Sequence, residues 1–365
     1  TCGSVTNSCQ QPVDCGACTC TPACADCFTC QDGLNTPGTC VIDPVQQGDA
    51  CGSPGQVCQA DGVCVCDGGS CSNPTPICAG GVCIACMAHA QCGVDALCVD
   101  GACQACNVTC AGGTCSSLTQ LQPALALGGT VYVCPGRYTG NLTLTQNASL
   151  VGAGQGEDNT VDTILDALTS GNVVRNNSSV TAALRQVWIT GGRGNNGAGV
   201  SNSGDLSLTD CTISDNSNTS QGGGIFTEAG TLEMIGCAVR RNSTTGASSA
   251  GGGLLIRGPA TLTNCTIGPN NTADNTGGGI RLQNSSSPLT LNGSTVTGNS
   301  ASEGGGIFNN AALLTLNGGS VTDNTAIGTE DIFNAFGRLI DNDATIGECT
   351  DVAGGCGCPG GTVCP

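Results

Sequence analysis

The sequence contains no lysine, a single histidine and only 2% aromatic residues. So few aromatic side chains exclude a large aromatic core, and the missing lysine excludes a GxxxxGK[ST] phosphate loop. The lone His89 sits in CMAHAQC with no second histidine to share a metal. Charged residues make up 10% of the chain, and nine arginines against 27 acids leave a net charge of −18. That balance disfavours nucleic acid and anionic membranes as partners. The longest apolar run, near Leu125 to Val133, is broken by glycines and too short to insert in a membrane.

Glycine and cysteine take the place of the missing residues, with 59 and 31 copies. Twenty-three cysteines lie between Cys2 and Cys115, one is Cys134, three are widely spaced at Cys211, Cys237 and Cys265, and four close the chain from Cys349 to Cys364. The distribution predicts three segments: a disulfide-stapled region over 1–115, a repeat region over 116–346 and a cysteine-rich tail over 347–365. Cysteine at this density stays oxidised only outside the reducing cytosol, so a secreted protein beginning at a mature terminus is expected. CxxC pairs such as Cys15–Cys18 and Cys83–Cys86 suit zinc or iron–sulfur clusters in a cytosolic protein. Here one histidine and many odd spacings favour small disulfide loops, and no metal or cofactor is expected. Cys115 and Cys134 flank a predicted short helix and are expected to pin it; Cys349, Cys356, Cys358 and Cys364 are expected to form disulfides. An odd total leaves at least one cysteine free or bonded to another molecule.

The second half repeats. The strings Gly222–Ile225, Gly251–Leu254, Gly277–Ile280 and Gly304–Ile307 each read GGG followed by an aliphatic residue. With Val200 and Ile332 they place aliphatic anchors at 200, 225, 254, 280, 307 and 332, separated by 25 to 29 residues. An alternating strand follows each anchor, as at Leu206/Leu208 and Leu289/Leu291, and then a second short strand ends in Ile213, Val239, Ile267, Val296, Val321 or Ile346. Two or three strands per repeat, joined by Gly, Asn, Ser and Asp, cannot close a core alone but can by stacking. The pattern predicts an all-β solenoid of parallel sheets with eight or nine coils.

Equivalent residues form columns in this register. Asn216, Asn242, Asn270, Asn299 and Asn324 each lie three residues after a strand-ending aliphatic and are expected to stack as an amide ladder that satisfies turn polar groups. Cys211, Cys237 and Cys265, continued by Ser294, Gly319 and Ala344, mark a position that wants a small inward side chain. Coils about 4.8 Å apart would also let neighbouring thiols bond, but inward packing is the simpler expectation.

The stretch Leu118 to Gly154, with GGTVYVCPGRYTGNLTLTQNASLVGAG inside it, resembles the opening coil of pectin-lyase-like right-handed parallel β-helix proteins. The GGGI repeats, above all GGGIFNN from Gly304 to Asn310, resemble those of polymorphic outer-membrane proteins and related adhesins. These resemblances imply the fold of residues 116–346 and, because that fold carries lyases, adhesins and passive spacers alike, no single activity.

Residues for the familiar chemistries are not aligned. Arg240, Arg241, Arg257 and Arg281 fall in neighbouring coils, but Asp215, Glu228, Glu233 and Asp274 do not recur in one column, so no calcium nest is expected. No paired aspartates with a nearby histidine exist in the repeats for glycoside hydrolysis. No catalytic residue is assigned and the protein is not expected to be an enzyme. Asn-x-Ser/Thr sequons at Asn107, Asn141, Asn147, Asn176, Asn218, Asn242, Asn284 and Asn292 are candidate glycosylation sites. The favoured expectation is an extracellular structural protein, a subunit of a filament, sheath or surface layer that polymerises with its own copies through its ends. A carbohydrate-binding or polysaccharide-degrading β-helix and a surface adhesin remain alternatives.

Overall fold

The computed structural model describes residues 121–327 and 331–351, with 96–100, 102–108 and Leu118, and earlier residues only as short backbone strands. The chain divides into two compact units, Thr1–Gln104 and Ala105–Pro365. In the first, strands pair as antiparallel two-stranded ribbons such as Phe28–Cys30 with Cys40–Ile42 and Gln56–Cys58 with Cys64–Cys66. Cys98 and Cys103 are disulfide-bonded.

The second unit is a right-handed parallel β-helix. Three nine-stranded parallel sheets run along it, from Gly129–Tyr132 to Arg338–Asn342 in the first, Gly136–Thr139 to Thr345–Ile346 in the second and Leu142–Leu144 to Cys349–Asp351 in the third. Each coil contributes one strand to each sheet, so every backbone ladder is completed by the coils above and below. The anchors pair in the expected register in the third sheet: Val200 with Ile225, then Leu254, Ile280, Ile307 and Ile332. Val174 and Leu142 continue the column toward the N-terminus. Strand Cys349–Asp351 pairs with Ile332–Asn334, which carries the solenoid past residue 346.

Alternation along the strands explains the core. In Asp205–Thr209 the leucines Leu206 and Leu208 are buried while Ser207 and Thr209 are half-exposed, as a period of two requires when one face is interior. The same inward columns join Leu150, Leu184, Met234, Leu262, Leu291 and Leu316 into one continuous core. A fourth sheet, Ser217–Asn218 to Thr325–Ala326, flanks the turn between the second and third. Its two-residue strands of Ser, Thr, Asn and Ala are too short to show an apolar alternation, so the sequence does not announce it.

The first coil is closed differently from the sequence expectation. Helix Leu121–Ala126 buries Leu121 and Leu125 against the first and third sheets. Cys134, however, bonds Cys106, with Cα atoms 5.5 Å apart, and not Cys115, which lies outside the described residues. Asn107 and Val108 donate their backbone N–H groups to Tyr132 O, and Cys134 N donates to Val108 O, which brings Cys106 beside Cys134. The solenoid unit therefore starts ahead of the expected boundary at 115.

Cys211, Cys237 and Cys265 point inward as free, buried thiols. Cys211 N donates to Cys237 Sγ at 3.4 Å, and Cys265 N donates to Ser294 Oγ at 3.0 Å, so the serine that continues the column takes over the acceptor's role. Its hydrogen bond with Cys211, reinforced by burial, pushes the Cys237 thiol well above the usual range; the bond to Cys237 and burial do the same for Cys265. Thiols kept protonated and dry react slowly. Peptide mapping after alkylation under native conditions should find all three unmodified, and mapping after unfolding without reductant should find all three labelled. Subtracting these three from 31 leaves 28, an even number, so no bond to a second molecule is required.

Candidate functional site

The turn after each second-sheet strand is held by buried amides. Asn216 N and Nδ2 both donate to Asn242 Oδ1, each at 3.1 Å, and Asn242 repeats the pair on Asn271 Oδ1. Asn271 then donates to Asn299 and Asn299 to Asn324. The other Nδ2 hydrogen goes to the coil before, as from Asn271 to Val239 O at 2.7 Å. The ladder member is thus Asn271, not Asn270. The turn Gly268–Asn270 carries one residue more than its neighbours, and Asn270 takes the left-handed position (φ 65°) that Asp215, Arg241 and Asp323 occupy in other coils.

The side-chain oxygens of Asn242, Asn271, Asn299 and Asn324 each accept from the asparagine of the preceding coil, so the C-terminal end of the ladder needs one more acceptor. Asp331 supplies that end. Asn324 N and Nδ2 donate to its Oδ1 at 2.8 Å, and Glu348 N donates to its Oδ2 at 2.9 Å. Shorter ladders join Asn176 to Asn202 and Asn309 to Asn334, and a surface one joins Asn292, Asn317 and Asn342. Every one of these bonds is internal, which leaves the ladders as scaffold.

The structure revises three of the glycosylation candidates. Asn176 and Asn242 are fully buried ladder members, and buried Asn218 donates to Gln221 O and Gly222 O while accepting from Ser220 N. A side-chain nitrogen so enclosed cannot carry a sugar in the folded chain. Asn107, Asn141, Asn147 and Asn284 are exposed and Asn292 is half-buried. Cys349 is disulfide-bonded; Cys356, Cys358, Cys364 and His89 lie outside the described residues.

The four arginines grouped by sequence separate onto two faces. Arg240 and Arg241 lie on the second sheet and its turn, where Arg241 holds Asp215 (Nε to Oδ1 and Nη2 to Oδ2, both 2.8 Å) and Glu157 (2.8 Å). Trp188 Nε1 donates to Ser214 Oγ at 2.7 Å, and that hydroxyl donates to Asp215 Oδ2 at 2.7 Å. Burial alone would raise the Asp215 pKa, but the bonds from Arg241 and Ser214 and the nearby guanidinium charges outweigh it and hold it below the usual value. Arg241 bridges both carboxylates and Arg240 lies 3.4 Å from Glu157, so the cluster fastens the loop carrying Glu157 to coils far along the chain.

The other face is the exterior of the third sheet. Its outward column runs Arg175, Ser201, Phe226, Leu255, Arg281, Phe308 and Phe333. Phe226 and Leu255 are buried in a small satellite cluster with Ala250. Arg257 lies over the Phe226 ring at 5.0 Å and Arg281 over Phe308 at 4.5 Å, while Phe308 and Phe333 stack at 5.0 Å. Burial lowers the pKa of Arg281, partly offset by Glu303.

Ser201 is the small member of this column, and a polar cavity of about 410 Å³ opens over it. Asn172, Arg175, Arg193, Asn195, Ser201 and Glu228 line it. Asn172 Oδ1 accepts from Arg175 Nη2 at 2.8 Å and so aims that guanidinium. Arg193 N donates to Gly171 O at 2.8 Å, which fixes its backbone at the rim. Glu228 is turned to Arg257 at 3.6 Å. Sequence inspection missed this site because its residues come from three coils and share no motif.

Residues 152–327 match the family described as the right handed beta helix region, just under half of the chain. No curated protein and no solved structure matches it.

Proposed function

We propose that the protein is a non-enzymatic extracellular structural scaffold, a subunit of a disulfide-stabilised filament, sheath or surface layer that assembles through the ends of its β-helix. The observation that carries this is the inequality of those ends. Helix Leu121–Ala126 covers the first coil, whereas strands Arg338–Asn342, Thr345–Ile346 and Cys349–Asp351 have a ladder partner on one side only among the described residues. Unpaired parallel edges invite strand addition unless covered, and Phe336 (69% exposed) and Ile327 (88% exposed) lie near that end of the chain. Two unlike ends favour head-to-tail contacts, which extend into a filament where the rotation between copies does not close a ring. The disulfides at Cys98, Cys103, Cys106, Cys134 and Cys349 support an oxidising location. No helix among the described residues is long and apolar enough to cross a membrane.

Because the remaining cysteines can pair within the chain, assembly is expected to be non-covalent. Light scattering with negative-stain microscopy should show oligomers that lengthen with concentration, while a non-reducing denaturing gel shows a single-chain band. Monodisperse single chains at every concentration would sink the proposal. A second reading, ligand binding on the side of the solenoid, is favoured by the cavity over Ser201.

A further inference from the structure

We infer that the cavity over Ser201 is a binding site for a small oxyanion ligand, a carboxylate or sulfate group on a body no larger than about one sugar. It rests on the second reading above and does not depend on assembly. With 27 acids to nine arginines, an arginine of this chain can readily find an acidic partner. Arg137, Arg240, Arg241 and Arg257 all have one. Neither Arg175 nor Arg193 is ion-paired among the described residues, although both line the same cavity.

The surroundings keep these two charges available. Arg175 donates to the neutral Asn172 oxygen, which orients the guanidinium without neutralising it. Asn172 is itself fixed, its Nδ2 donating to Asn196 O at 2.7 Å and Gly197 O at 2.5 Å. Glu228, the one acid in the lining, is drawn aside by Arg257, whose Nη2 also donates to Gln221 Oε1 at 2.9 Å. Two guanidiniums with free donors match the oxygens of a carboxylate or sulfate, and the Ser201 hydroxyl and Asn195 amide offer hydrogen bonds to a hydroxylated body. A volume of about 410 Å³ is at the small end of ligand cavities. The net charge of −18 decides between a small ligand and a polymer, since it would repel every further negative group of a polyanion.

The test is calorimetric titration of the full chain, in a buffer of large zwitterions, with sodium sulfate, glucuronate, glucose and heparin. Saturable one-to-one binding of sulfate or glucuronate is expected, with no heat from glucose and no tighter binding of heparin per site. Arg193→Ala, at an exposed side chain, and Arg175→Gln, which keeps a donor for Asn172, should each weaken the anion by about tenfold or more. Arg338→Ala, an exposed arginine outside the cavity, should leave affinity unchanged, and melting curves of all three variants would verify folding. Absence of saturable binding, wild-type affinity in Arg193→Ala, or tighter heparin binding weakened equally by Arg338→Ala would overturn the site. Solenoid assembly is measured separately, so either result can fail without the other.

Discussion

Replacing Asn271 by alanine is expected to destabilise the β-helix by about 3 kcal/mol, whereas Asn270→Gly should change stability by a few tenths at most. The two residues are adjacent and chemically identical, so the difference expected lies in what each side chain and backbone position does in the fold. Asn271 is fully buried, and its Oδ1 accepts both the N–H and an Nδ2 hydrogen of Asn242 at 3.1 Å. Truncation leaves those two donors facing a dry gap, each costing about 1–3 kcal/mol. The Asn271 Nδ2 bond to Asn299 Oδ1 at 2.9 Å disappears as well. Asn270 is exposed, and its position asks only for a positive φ, which glycine adopts freely. Urea unfolding with disulfides intact measures both variants; equal midpoints would show that the ladder does not run through Asn271.

That pair also marks where the sequence stopped being legible. The anchors at 200, 225, 254, 280, 307 and 332 could be aligned because burial on one face forces an aliphatic residue at a fixed place in every coil. The strand alternation of Leu206 and Leu208 followed for the same reason. A ladder counted at a constant offset fails wherever a turn gains a residue, as between Ile267 and Asn271. Its terminator was invisible because Asp331 shares the acceptor role of the asparagines but not their identity. The pairing of Cys134 with Cys106 depends on where Asn107 and Val108 meet Tyr132, a tertiary fact that cysteine spacing does not encode. The candidate cavity was hidden more deeply. Arg175 and Ser201 become neighbours only when successive coils stack, and Arg193 joins them from a loop.

The glycine triplets carry a second constraint that their spacing does not announce, and Gly278→Ala is expected to be strongly damaging. A tight corner with positive φ accounts for the first glycine alone, as at Gly277 (φ 65°). The middle glycine has an ordinary φ and a different constraint. A Cβ on Gly278 would lie 2.4 Å from Ser300 O and 2.5 Å from Gly305 O, backbone atoms of the next coil that cannot rotate away. Gly252 and Gly305 meet the following coil in the same way, with carbonyl oxygens at 2.3 Å from each added Cβ. The close approach follows from the ladder through the triplets, in which Gly278 N donates to Gly304 O and Gly279 N to Gly305 O. An alanine must therefore push two coils apart and break bonds in a stack where each coil is stabilised only by its neighbours. A loss of at least about 3 kcal/mol is expected, enough to lower expression of the folded chain. Gly318→Asn is the matched control, because a Cβ there meets nothing within 4 Å and asparagine tolerates its φ of 65°. Thermal unfolding of the two variants should differ by many degrees; a Gly278→Ala protein that melts with the wild type would mean that adjacent coils can separate at the triplet without cost.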